Sequence, residues 1–192
     1  ALFSAEWIAR TLNAQVLVLI RHPAAFISSL KRLGWVFPFE DLATQPQLME
    51  ERLAPFASRI HQAAHRPEEG DIIERGSLLW CIFAHVIDMY RQRHDDWVFV
   101  RHEDLACSPL ESFQYIFDRF DLHFTSRVRA IIRAHCNPKN PSEVDQQVTH
   151  ELHRDSKRVT QTWRSRLSDA EVQRIRRNVE EWADLFYTSA SW

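Results

Sequence analysis

Leu2, Phe3, Trp7, Ile8 and Leu12 recur at helical spacing, and the pattern then changes over residues 16–20 to an unbroken apolar run rich in β-branched side chains. This predicts a helix followed by a short strand. Uninterrupted hydrophobicity is expected of a parallel strand covered on both faces, so helices are expected on each side of it. Arg21-His22-Pro23 then turns the chain, and Pro23 suits the first position of a helix running to about Leu33, because its missing N–H has no partner there in any case. Gly34, Pro38 and the aromatics Trp35, Phe37 and Phe39 predict an irregular loop. Helical patterns follow over residues 47–64 and 72–93. A second apolar strand is expected over residues 97–100, ending in Arg101, and Ser108-Pro109 with Glu111 opens a helix continuing through Phe120. Two more helices are expected over residues 126–135 and 169–187, with the Asn137-Pro138-Lys139-Asn140-Pro141 loop between them.

Alternation of strand and helix argues for an α/β fold with a parallel sheet, since parallel neighbours need helical crossovers. Only two strands stand out. Two parallel strands with exposed edges do not make an independently stable sheet, so a further strand is expected from an upstream segment or from a partner chain. The first thirteen residues fit neither a signal peptide nor a translation start and read as an internal cut.

Composition narrows the class. An apolar share of 45%, with seven Trp and twelve Phe against three Gly, describes a packed helix-rich globule; 192 residues suffice for one domain that buries roughly 70% of its unfolded surface. No apolar run approaches the roughly 20 residues of a membrane span. Cys81, Cys107 and Cys136 form no paired metal or disulfide spacing, which favours a reducing compartment, the cytoplasm by default. A net charge of −2 argues against a general nucleic-acid or membrane-surface binder. Positive charge is local: Arg154, Lys157, Arg158, Arg164, Arg166, Arg174, Arg176 and Arg177 face only Asp155, Asp169 and Glu171. That segment reads either as a grip on a small, highly charged anion or as a solvated helix face.

Ligands of open α/β sheets bind beyond the carboxyl ends of the strands, where Arg21 and Arg101 are expected. Arg21 also precedes a helix whose free N–H groups and dipole favour phosphate, and Ser29 can present a hydroxyl from that helix. Taken alone, the pair also reads as a surface cation and a core-edge hydroxyl. The run Val18-Leu19-Ile20-Arg21-His22-Pro23-Ala24-Ala25-Phe26-Ile27-Ser28-Ser29, however, resembles the 3′-phosphate motif of sulfotransferases that use 3′-phosphoadenosine 5′-phosphosulfate (PAPS), with Arg21 and Ser29 at the ligand positions. Val98-Phe99-Val100-Arg101-His102-Glu103-Asp104-Leu105 resembles the family's strand and following turn, with His102 in place of the usual Tyr near the adenine. Glu103 and Asp104 are expected to fix that turn. The segment from Arg154 to Trp163 is similar to the late loop that closes over the 3′-phosphate, which nominates Ser156, Lys157 and Arg158, Arg158 standing at the family's Gly.

The resemblance covers most of the chain and implies the C-terminal portion of a helix-rich, P-loop-NTPase-like three-layer fold, incomplete at its N-terminus. It further implies transfer of a sulfuryl group from PAPS to a hydroxyl or amine of a small or macromolecular acceptor, leaving 3′,5′-ADP, without a metal. The Lys-containing phosphosulfate loop is not found, and Gly34, Gly70 and Gly76 lie in no Gly-rich loop. No catalytic residue is therefore assigned, and the chain alone is expected to be inactive. A P-loop nucleotide kinase fragment and a non-catalytic nucleotide- or partner-binding module are the competing readings. His61/His65 and His150/His153 have metal-like spacing but no third ligand, and Cys136 beside His135 lacks the partners of a nucleophile. Residues 35–39 read as packing or as the wall of an acceptor pocket.

Overall fold

The computed structural model describes residues 2–65, 71–143 and 152–192. Helix α1 (Ala5–Leu12) leads into strand β1 (Leu17–Ile20), followed by α2 (Pro23–Leu33), α3 (Glu40–Ala43), α4 (Pro46–Glu51), α5 (Ala57–His65) and α6 (Ile72–Arg93). Strand β2 (Val98–Arg101) precedes α7 (His102–Cys107), α8 (Pro109–Arg119), α9 (Ser126–His135), α10 (Ser156–Val159), α11 (Trp163–Arg166) and α12 (Asp169–Ala183). The fold is α/β and helix-rich. β1 and β2 pair in parallel, with Leu17 opposite Val98 and Ile20 opposite Arg101, and they are the two strands among the described residues.

The long crossover between them is dominated by α6. Its buried residues include Ile73, Gly76, Leu79, Trp80, Ile82, Val86 and Tyr90, which point around most of the helix circumference. A helix apolar on nearly every face belongs in the centre of a domain. α2 and α12 both pack on it, and they also touch each other. Asp71 fixes its start by accepting from the backbone N–H groups of Ile73 and Glu74, each at 3.0 Å, which satisfies two of the four donors a helix leaves free.

Several expectations are corrected. β1 is not covered on both faces: Val18 and Ile20 enter the core, whereas Leu17 and Leu19 are 41% and 49% exposed. The continuous apolar run hides an alternation of buried and exposed positions. The helical pattern expected over residues 47–64 is broken into α4, a 3₁₀ turn and α5, because Pro55 cannot continue the hydrogen-bond ladder. Residues 102–107 form α7 rather than an open turn, and the Ser108 side chain does not cap α8. The last long helix stops at Ala183.

α2 ends as its sequence dictates. Gly34 adopts φ +59°, and its N–H bonds to the carbonyls of Leu30 and Lys31 while that of Trp35 returns to Leu30, a closure that requires a residue tolerant of the left-handed region. Within the loop that follows, Phe39 is fully buried and meets Phe37 edge-on at 5.2 Å, while Trp35 and Val36 stay exposed. Among the described residues, no helix is long and apolar enough to cross a membrane.

Candidate functional site

Arg21 leaves the end of β1 at a point held from both sides. The Trp80 indole N–H of α6 donates to the Arg21 carbonyl at 2.9 Å, and the next backbone N–H, of His22, donates to Glu103 Oε1 at 3.0 Å. The guanidinium itself lies partly buried, and its Nε, shielded from solvent, has no hydrogen-bond partner. Burial lowers its pKa, Glu103 opposes that shift, and Arg166 reinforces it. Glu103 thus attracts the group and Arg166 repels it, and among the described residues no carboxylate forms an ion pair with it at contact distance.

Two turns along α2, the Ser29 hydroxyl donates to the Ala25 carbonyl at 3.1 Å. That local bond can be exchanged for one to an anion, because a serine hydroxyl rotates freely and hydrogen bonds to charged acceptors are the stronger ones. Ser29 and Arg21 line the same cavity, of about 180 Å³, with Arg32 and Leu33 from the end of α2, Ser142 and Glu143 from the loop after α9, and Arg154, Val159, Thr162 and Arg166. Among the described residues, four guanidiniums and one carboxylate thus line it. Hydroxyls of Ser29, Ser142 and Thr162 complete the polar wall, which is the donor set a compact polyanion needs.

Two larger cavities, of about 560 and 460 Å³, lie beside β2 and along β1. The first contains Arg101, whose guanidinium is already bound by both carboxylate oxygens of Asp104 at 2.7 and 2.6 Å. The second is walled chiefly by aliphatic side chains of α1, β1 and α6. Neither gathers as many guanidiniums as the smaller cavity.

Of the residues nominated from sequence, Arg21 and Ser29 meet in this cavity, and Ser156, Lys157, Arg158 and His102 do not line it. The Ser156 hydroxyl donates to the Ala106 carbonyl at 2.8 Å, which ties α10 to α7. Lys157 is exposed, and Arg158 reaches back to Asp155 at 3.3 Å. His102 lies with its Nδ1 3.8 Å from Glu103. The basic segment instead contributes Arg154 and Arg166, while Arg174 binds Asp71 and Glu74 across α6. Arg32 was missed, although its position three residues beyond Ser29 puts it on the same helical face. Glu143 was missed as well; nothing local distinguishes it.

The first turn of α2 does not border the cavity, contrary to a phosphate seated on that helix N-terminus. The residue that precedes this helix belongs to a second polar centre. His22 is 2% exposed, stacked on Trp163 at 5.4 Å and met edge-on by Tyr187 and Trp192. Burial outweighs the attraction of Glu103 and pushes its pKa down to about 4, with Arg164 adding to the shift. Glu103 is itself partly buried, which disfavours its charge; the imidazole of His102, the His22 N–H and the Tyr187 hydroxyl, 2.9 Å away, overcome that and hold its pKa at about 2. The same carboxylate drives the Tyr187 phenol upward, after burial has done the larger part. Glu103 thus joins the turn after β1, α7 and the segment after α12, a tie between distant segments where the fixing of its own turn was expected.

His61 and His65 lie one helical turn apart, with ring centroids 6.4 Å apart, and among the described residues no group of three or more His, Cys, Asp or Glu could hold a metal ion. His150 lies outside the described residues; His153 stacks on His135 at 4.4 Å. Burial raises the pKa of Cys136 and takes that of Cys81 to about 12, away from thiolate chemistry. Compared with protein-family models, with curated proteins and with solved structures, the chain finds no match in any of the three.

Proposed function

We propose that this chain holds the 3′-phosphate of PAPS, or of its product 3′,5′-ADP, as the C-terminal portion of a sulfotransferase with a P-loop-NTPase-like three-layer fold. The observation that carries the reading is the convergence of Arg21, at the carboxyl end of a parallel strand, and Ser29, eight positions later, on one cavity with Arg32, Arg154 and Arg166. A phosphate monoester is dianionic near neutral pH and presents several acceptor oxygens, so planar guanidinium forks match it better than single point charges.

In this role the chain binds and orients. Arg21, with a free Nε, and Ser29 take the phosphate oxygens, and the other arginines neutralise the remaining charge. In the transfer itself, the S–O bond to the leaving 5′-phosphate breaks as a bond to the acceptor oxygen or nitrogen forms, and the acceptor's proton passes to a base. No residue of this chain is assigned as that base.

Isothermal titration calorimetry on the chain with 3′,5′-ADP, 5′-ADP and ATP tests the reading. Tight binding of 3′,5′-ADP, with 5′-ADP weaker by tenfold or more, is the expected result, since a lost charge-assisted contact costs about 1.5–3 kcal/mol. Equal affinity for 3′,5′-ADP and 5′-ADP, or preference for ATP, removes the 3′-phosphate reading and favours a nucleotide kinase.

A further inference from the structure

Among the described residues, Arg166 is the one of the cavity's four guanidiniums that binds a carboxylate on the cavity wall. Glu143 Oε1 accepts from Arg166 Nε at 3.0 Å and from its Nη2 at 2.7 Å. This is a two-pronged contact of the kind a guanidinium makes with a phosphate oxygen. The pair is unequal in setting: the Arg166 side chain is 18% exposed and Glu143 48%. The cation is therefore anchored in the wall, and the carboxylate reaches it from the solvent side. Arg166 also acts on Arg21, whose pKa it depresses, so the two guanidiniums lie within electrostatic range of each other.

From this arrangement we infer that Glu143 is an internal competitor for the anion site. It occupies Arg166 and must swing out before an incoming phosphate or sulfate can use that guanidinium. The partial exposure of Glu143 makes the swing sterically open, since its carboxylate can exchange Arg166 for water. The device sets a threshold: a singly charged carboxylate holds the fork against weak monoanions, and a dianionic ester displaces it. Selectivity for doubly charged groups then arises from a built-in rival together with the attraction of the arginines.

The inference needs only that the cavity binds an anion; the proposed nucleotide gives the anion a name. The test is calorimetry of the wild-type chain, Glu143→Gln, Arg166→Gln and the double variant against inorganic phosphate, sulfate and 3′,5′-ADP, each at two salt concentrations. Glu143→Gln keeps the shape of the side chain and removes its charge, and circular dichroism melts check that each variant is folded. Affinity for inorganic phosphate is expected to rise about threefold to tenfold in Glu143→Gln, in line with removal of one partly exposed ion pair and of a like charge near the ligand. The gain is expected to vanish in the double variant, because without the Arg166 fork there is nothing to release.

Unchanged phosphate and nucleotide affinity in Glu143→Gln overturns the competitor while leaving the nucleotide reading in place. A gain for inorganic phosphate with no preference for 3′,5′-ADP over 5′-ADP supports the competitor and removes the nucleotide. Binding of none of the anions, by the wild type or by Glu143→Gln, overturns both. An equal gain in the presence and absence of the Arg166 guanidinium also overturns the competitor, since it would reflect net charge alone.

Discussion

Replacing His22 by Phe should make the protein more stable in acid and leave it nearly unchanged at pH 8. The imidazole is 2% exposed, both of its nitrogens lack hydrogen-bond partners, and its contacts are aromatic rings. Phe offers a ring of similar size without forfeiting a hydrogen bond. In the unfolded chain His titrates near 6.5, whereas in the folded protein its pKa is about 4. Between those values the unfolded state carries a proton that the folded state refuses, so stability is full above pH 6.5 and falls as the pH drops toward 4. A gap of that size corresponds to about 3 kcal/mol by pH 4, of which about 2 kcal/mol is lost by pH 5. Urea unfolding at pH 8, 7, 6 and 5 measures it. The stability difference between His22→Phe and wild type is expected to widen by about 2 kcal/mol in favour of the variant across that range. Glu103 provides an internal contrast: its carboxyl is held at about 2 against an ordinary 4.5. Its contribution is therefore present above pH 4.5 and fades only below it, in both proteins. Parallel stability curves for the two proteins between pH 8 and 5 would refute the buried neutral imidazole.

Two further outcomes test other parts of the structure. Arg21→Ala should weaken 3′,5′-ADP binding by about 1.5–3 kcal/mol in calorimetry with little change in unfolding free energy, since its buried Nε has no hydrogen-bonded partner to abandon; unchanged affinity would remove Arg21 from the site. Gly76→Val should lower the unfolding free energy by about 1–3 kcal/mol and loosen the seat of α2, because even a Cβ at Gly76 would stand 3.1 Å from Ile27 Cγ1 and 3.3 Å from its Cγ2; a melting temperature equal to wild type would mean that Ile27 can yield.

Local rules made much of the framework legible. Pro23 at a helix start and Gly34 just beyond its end mark the bounds of α2 by backbone chemistry, and the apolar periodicity placed α6 and α9 over the residues they occupy. Parallel pairing of β1 with β2 followed from the helical crossover between two apolar strands. What stayed hidden depends on partners distant in sequence. The exposed faces of Leu17 and Leu19 follow from which helices reach the sheet, a matter of packing that an all-apolar run does not encode. In the site, Arg21 and Ser29 share a short segment whose spacing carries the signal, whereas Glu143 and Arg166 meet across more than twenty residues and have no local signature. The basic stretch after residue 153 was visible as a cluster, but which of its members face inward was decided by competing carboxylates: Asp155 takes Arg158, while Asp71 and Glu74 take Arg174.

Trp80 and Glu103 hold the peptide unit that joins Arg21 to His22, one through its carbonyl and the other through its amide N–H. A ligand reaching that guanidinium therefore meets a main chain whose torsional freedom was surrendered when the protein folded. Only side-chain rotation is left to be lost on binding, so the association entropy should be set by the arginines' methylene stems and by released solvent rather than by loop ordering.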